Sequence, residues 1–210
     1  MSPRAADPAV RAALIAAATR LLGAGGPGEL STRRLAAEVG TSTMRIYTHF
    51  ENMDDLHAAV RREGFARLAG AVRDAEGVDD PVAELAAGSL AYLDAATAEP
   101  ELYRAMFNHR PPPGDDAGQQ LFDLLAGVVR RCIEAGRFVD ADLAPPACAG
   151  EIWAGLHGMV TLALAGILAP DALRFLLTDN LFRLAVGFGD DPEAVRRSID
   201  AAARTAEVSR

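Results

Sequence analysis

The sequence predicts an all-α protein, and three observations carry that expectation. Every long apolar pattern repeats with the helical period, and no run alternates as a half-buried strand would. Helix starts are marked by punctuation such as Asp7-Pro8, Asp80-Pro81, Pro145-Pro146 and Pro170-Asp171. Alanine is abundant, and half of the 210 residues are apolar, enough for the core of one domain or two small ones.

Asp7 and Pro8 open the first helix, with a capping carboxylate ahead of a proline at the first helical position. Its apolar stripe is Val10, Leu14, Ala17, Ala18, Leu21 and Leu22, and it stops in the glycine cluster 23–28. No strand precedes this cluster and no Gly-Lys-Ser/Thr follows, so a phosphate loop is not expected. Ser31 is placed to cap a short second helix with Leu35, Ala36 and Val39 inward. Gly40 permits the positive φ that ends it. Thr41 or Ser42 caps a third helix. Ile46 and Phe50 face inward there, while Thr43, Arg45, Tyr47, Thr48 and His49 stay largely outside. Two short helices about a glycine turn, with a donor-rich outer face free of carboxylates, form the pattern of a helix-turn-helix laid against phosphates.

Asn52 caps a fourth helix with Asp54 and Asp55 in its first turn, where the helix dipole favours them. It runs through Leu56, Val60, Phe65, Leu68 and Val72 and is expected to connect two domains. The next helix starts at Asp80-Pro81 and buries Val82, Leu85, Leu90 and Leu93. A short one from Pro100 carries Leu102, Tyr103, Met106 and Phe107, followed by the loop 109–116. The stretch 121–138 is amphipathic, with Phe122, Leu125, Val129 and Ile133 inward. Long helices are expected from Pro145 to about Leu168 and from Pro170 to about Phe188, and a polar helix or tail closes the chain.

Net charge is −8, but it is unevenly spread. Residues 1–62 hold eight arginines against six carboxylates, a net of +2, and the remainder carries −10. All 21 basic residues are arginine. A weakly basic head on an acidic body suits a module that meets nucleic acid while the body stays off it. Cys132 and Cys148 lack metal or redox spacing, which predicts a reduced, cytoplasmic protein. No secretory segment is expected, because Thr19 and Arg20 break the apolar stretch 12–22. The apolar segment 152–168 is short for a membrane span and contains His157, so buried dimer core is the expectation and no membrane partner. No metal, cofactor or catalytic residue is expected: the chain has no His-Glu-x-x-His and no nucleophile elbow, and although Cys148, Glu151 and His157 are near in sequence, Cys148 and His157 are not on one face with a second ligand at i+4.

The run from Leu30 to Leu56 resembles the DNA-binding signature of TetR-type transcriptional repressors. The matching features are a helix ending in Ala-Ala-Glu-Val-Gly, a recognition helix ending in Ile-Tyr-x-His-Phe, and the capped start Asn-Met-Asp-Asp-Leu. The resemblance implies a helix-turn-helix DNA-binding domain at 1–51, a connecting helix at 52–76, and a helical effector-binding and dimerisation domain at 77–210. Trp153-Ala-Gly-Leu-His157-Gly158 resembles the Trp-x-x-x-His-Gly signature of one subgroup of these regulators. Tyr47 and His49 occupy positions that the family uses to hold phosphates. Thr32 is placed to do the same, and Ser42 and Thr48 fall on the same surface. Where the family often has lysine, this chain has Met53.

Arg33 and Arg45 are the expected base readers, since arginine bridges guanine O6 and N7, although Arg45 is also placed to grip a phosphate. Thr43 and Met44 are candidates for thymine methyls. Tyr103, Met106, Phe107, Phe122, Trp153 and His157 form either an apolar effector pocket with His157 as its polar anchor or a packed core. The dimer interface is expected on Ile152, Leu156, Val160 and Leu164 of one helix and Leu173, Leu177, Leu181 and Leu184 of the next, unless these faces bury into their own domain. The expected protein is thus a homodimeric, ligand-responsive regulator. Its partners are a palindromic double-stranded DNA operator and an unknown, apolar small-molecule effector that releases it. The competing expectation is a small helical ligand carrier or enzyme that retains an idle helix-turn-helix scaffold.

Overall fold

The computed structural model describes residues 7–75, 77, 79–107, 110–111, 114–140 and 144–208. Ten α-helices lie among them and no strand: α1 (Pro8–Gly25), α2 (Thr32–Val39), α3 (Thr43–Ile46), α4 (Met53–Asp74), α5 (Pro81–Ala98), α6 (Pro100–Phe107), α7 (Gln119–Glu134), α8 (Pro145–Leu164), α9 (Pro170–Gly187) and α10 (Pro192–Val208). The expected caps form. Asp7 accepts from the Ala9 amide at 3.0 Å, Asn52 from Asp55 at 2.9 Å and Asp80 from Val82 at 3.0 Å. The α8 and α9 starts have no side-chain cap and rely on proline in the first turn.

The chain divides into two compact units. The first takes the chain up to Ala66 together with Glu99–Gly118. The second takes Arg67–Ala98 and Gln119 onward. The segment 99–118, which lies within the expected effector domain at 77–210, packs in the compact unit that also contains the helix-turn-helix. Helix α4, expected as a connector, contributes residues to both units.

In the first unit Leu14, Leu22, Leu35, Ile46, Phe50, Leu56 and Val60 are almost completely buried. Helix α6 is seated on α1 and α4 at two glycines. A Cβ at Gly23 would stand 2.5 Å from the Glu101 Cα, and one at Gly64 would stand 2.5 Å from the Met106 Cγ. The buried Arg61 of α4 donates to the Met106 carbonyl and pairs with Asp115 at 2.7 Å. Phe65 meets the Phe107 ring edge-on at 5.7 Å. Nothing in the sequence announced Arg61, because its partner lies 54 residues away.

In the second unit α5 packs on α10, and α8 packs between α7 and α9. Arg137 ties three segments together, reaching Asp190 at 2.8 Å, Asp80 at 2.7 Å and Ser198 at 3.2 Å. Burial pushes the Asp80 carboxyl up, but hydrogen bonds from Ser198 and the Val82 amide, with the Arg137 charge, outweigh it and hold the carboxyl below its usual range. Two helices stop early: α7 at Glu134 and α8 at Leu164. The buried face of α7 is also rotated from the expected one. Leu121, Ala126, Val128, Val129 and Cys132 are covered, whereas Phe122, Leu125 and Ile133 are half-buried. At 20 residues α8 is long and apolar enough to cross a membrane, contrary to the expectation from its sequence, but its inner face is buried in this unit.

Candidate nucleic-acid interface

The reading head is built by local rules. Ser31 caps α2 by accepting from the Arg34 amide at 3.3 Å. Gly40 takes the left-handed conformation, φ 68° and ψ 37°, and its amide closes the last turn of α2. Ser42, rather than Thr41, caps α3 through the Arg45 amide at 3.2 Å. Ile46 and Phe50 anchor the helix from below. Ser42, Thr43, Met44, Arg45, Tyr47 and Thr48 all lie exposed, with Arg33 exposed on α2 and Thr32 and His49 half-buried.

Two predicted side chains have restricted roles. The Thr48 hydroxyl donates to the Arg45 carbonyl at 2.6 Å, so its proton is spent inside the turn. The His49 Nδ1 is enclosed without a hydrogen-bond partner, which leaves Nε2 as the edge of the ring that can reach a phosphate.

The electrostatics of the head separate its arginines. Arg20 pairs with Glu38 at 3.2 Å, Arg34 with Glu29, Arg61 with Asp115 and Arg62 with Asp55 at 3.5 Å. Arg11 lies over the Phe50 ring at 5.0 Å. Among the described arginines of residues 7–62, only the Arg33 and Arg45 guanidiniums have neither a carboxylate nor a ring partner. An unpaired guanidinium keeps its full charge and all its donors for a phosphate or a guanine edge.

Residues 14–60 match the family described as bacterial regulatory proteins, tetR family, and residues 85–188 match the tetracyclin repressor-like C-terminal domain. The chain belongs to the tetR family of transcriptional regulators. It carries the family's helix-turn-helix DNA-binding domain and a helical C-terminal domain of the ligand-binding type.

A curated relative, the uncharacterized HTH-type transcriptional regulator Rv0681 of Mycobacterium tuberculosis, is 28% identical over 180 residues, covering 84% of this chain and 80% of its own. A protein of unknown function from Rhodococcus sp. RHA1 is similar at 29% identity with a TM-score of 0.72, covering 89% of this chain and 98% of its own. SmeT, the repressor of the Stenotrophomonas maltophilia multidrug efflux pump SmeDEF, shares the fold at 19% identity and a TM-score of 0.68, with 84% of this chain and 89% of its own covered.

The other predicted sites are placed less simply. Tyr103 and Met106 are buried in the first unit, where Tyr103 also meets Phe107 at 5.0 Å between ring centres. Phe122, Trp153 and His157 belong to the second unit and are half-buried. Trp153 and His157 stack at 5.5 Å with 28° between their planes, as their four-residue spacing predicts. Burial holds the His157 imidazole below its usual pKa.

The expected dimer residues need correcting. Ile152, Leu156, Val160, Leu173, Leu177 and Leu181 are buried within their own unit, so they are spent on its core, while Leu164 and Leu184 are half-buried. The large apolar side chains that α8, α9 and the turn between them leave exposed are Leu162, Ile167 and Phe175. On α8, Ala154, Thr161 and Leu162 share one exposed face, continued by Ala165 just past the helix end, with Glu151 at its N-terminal end. The sequence signal for that face was its run of small residues on the side opposite Ile152, Leu156 and Val160.

Proposed function

We propose that this regulator is a cytoplasmic homodimer that represses transcription by binding a palindromic operator and is released by an apolar small-molecule effector. The observation that carries the DNA reading is the charge pattern of the head: its other described arginines are engaged, and the two left unengaged flank the turn into α3. Arg33 and Arg45 read bases or grip phosphates. Thr32, Ser42, Tyr47 and the Nε2 of His49 hold the backbone, and Thr43 and Met44 meet base edges.

Dimerisation covers the outer face of α8 around Ala154 and Leu162 together with Ile167 and Phe175, since apolar patches of this kind mark association surfaces. A two-fold dimer presents two reading heads and so demands two half-sites. The effector site uses Phe122, Trp153 and His157 on the packed helices α7 and α8, with the Trp-x-x-x-His-Gly motif as its signature. SmeT, which shares the fold, is a repressor.

Genomic-fragment selection with the purified protein, followed by mobility shifts at two salt concentrations, tests the reading. The expected result is a palindrome bound by a dimer and weakened by salt. Arg45→Ala and Tyr47→Phe should each weaken binding by about ten-fold, the range of one lost contact of this kind, without changing the dimer. No enrichment at low salt, or unchanged binding in both variants, overturns it.

A further inference from the structure

The helix proposed to read DNA carries an apolar side chain that nothing in the protein covers. Met44 is 78% exposed and Tyr47 is 52% exposed. They are the exposed large apolar side chains among the described residues of the first unit, and both fall in the five residues 43–47. Every other large apolar residue of α1 to α4 is at least partly covered, so exposure here is local to the reading face. Arg45, beside Met44 in sequence, carries one of the two unpaired guanidiniums.

Resting on the DNA reading above, we propose that Met44 is a specificity-determining residue that reads the C5-methyl group of a thymine in each operator half-site. The unpaired charges commit this face to a polyanion. On duplex DNA the phosphates and the other major-groove base edges are polar, and the thymine methyl is the apolar feature displayed there. A thioether cannot satisfy a phosphate oxygen, but it gains by covering a methyl. Methionine is unbranched and polarizable, so it reaches and adapts to such a group. Arg45 alongside would then read a guanine or a phosphate near that thymine, giving the half-site an apolar and a polar determinant in close succession.

The test replaces each thymine of the recovered operator, one at a time and symmetrically in both half-sites, by deoxyuridine. This deletes the C5-methyl and leaves the O4 acceptor and the pairing unchanged. Wild-type affinity should fall about three- to ten-fold per half-site at one position, the worth of one buried methyl contact. Met44→Ala and Met44→Gln should weaken binding to the thymine operator by a similar factor and be indifferent to deoxyuridine at that position.

Because the side chain is solvent-exposed, both variants should keep the wild-type melting temperature. Wild-type indifference to deoxyuridine at every position overturns the assignment. So does deoxyuridine sensitivity that survives in both Met44 variants but vanishes in Thr43→Ala. These outcomes require an operator that binds. A protein that selects no DNA at all defeats the DNA reading itself, which keeps the two failures distinct.

Discussion

An arginine contributes to DNA binding only if its charge is not already neutralised, and the head of this protein sorts its arginines on that basis. Arg20, Arg34 and Arg62 are held by carboxylates on their own or neighbouring helices, and Arg61 is buried with Asp115. The charge count of residues 1–62 was legible in the sequence, but which guanidiniums survive it was not. Pairing depends on contacts across helices, such as Arg20 of α1 with Glu38 of α2. His157 is a second case in which burial sets behaviour. Its stack on Trp153 followed from spacing, whereas the lowered pKa follows from the packing around it. The folded state therefore resists protonating this imidazole, while the unfolded chain protonates it near 6.5. Its contribution to stability is full above pH 6.5 and is lost as pH falls from there toward the lowered folded value. The melting temperature should drop between pH 7.5 and 5.5, and His157→Asn should flatten that part of the profile. An unchanged slope in the variant would place the titrating group elsewhere.

Helix α6 illustrates what an element's sequence does and does not reveal. Its existence, from Pro100 through Met106, was readable from its start signal and apolar spacing. Its allegiance was not: it follows α5 in sequence but joins the unit that carries the helix-turn-helix. Two glycines decide this, because they let α6 approach the backbones of α1 and α4 more closely than any side chain would allow. The two seats are unequal. At Gly23 an added methyl meets Glu101 backbone atoms, which can yield only if a helix shifts. At Gly64 it meets the Met106 side chain, which can rotate. Both substitutions gain roughly 1 kcal/mol of helix propensity when glycine becomes alanine in a helix interior. Gly23→Ala should still be destabilising by about 1–3 kcal/mol, the usual range for overpacking, and Gly64→Ala clearly less. Urea unfolding followed by circular dichroism would compare them, and a reversed order would show that Met106 is the more rigid neighbour. The same distinction explains the helix faces. Periodicity located α7, α8 and α9, but a helix apolar on much of its circumference does not announce which side is core. Hence Leu173, Leu177 and Leu181 prove to be interior, while Phe175 is 68% exposed.

At the scale of the whole molecule the net charge of −8 opposes approach to DNA, so affinity rests on a few local contacts and on doubling them. Among the described residues each head offers two unpaired guanidiniums, Arg33 and Arg45; the hydroxyl donors in the proposed set, Thr32, Ser42 and Tyr47, carry no charge and release no counterions. The logarithm of operator affinity falls with the logarithm of salt by about 0.9 per phosphate neutralised. A dimer with two cations per head should therefore show a slope of about −4, and one head alone about −2. Phe175→Asp makes the comparison possible. It places a charge in the exposed apolar face proposed for dimerisation without touching the core, so it should yield a folded monomer in sedimentation. That monomer should bind a single half-site weakly, with the shallower slope. A Phe175→Asp protein that remains dimeric would move the interface off α9. A wild-type slope much steeper than −4 would mean that cations beyond Arg33 and Arg45, Arg4 among the candidates, also reach the duplex. Since neutral donors and a methyl contact are insensitive to salt, a shallow slope combined with tight binding would be the signature of a head that reads more by shape and base edge than by charge.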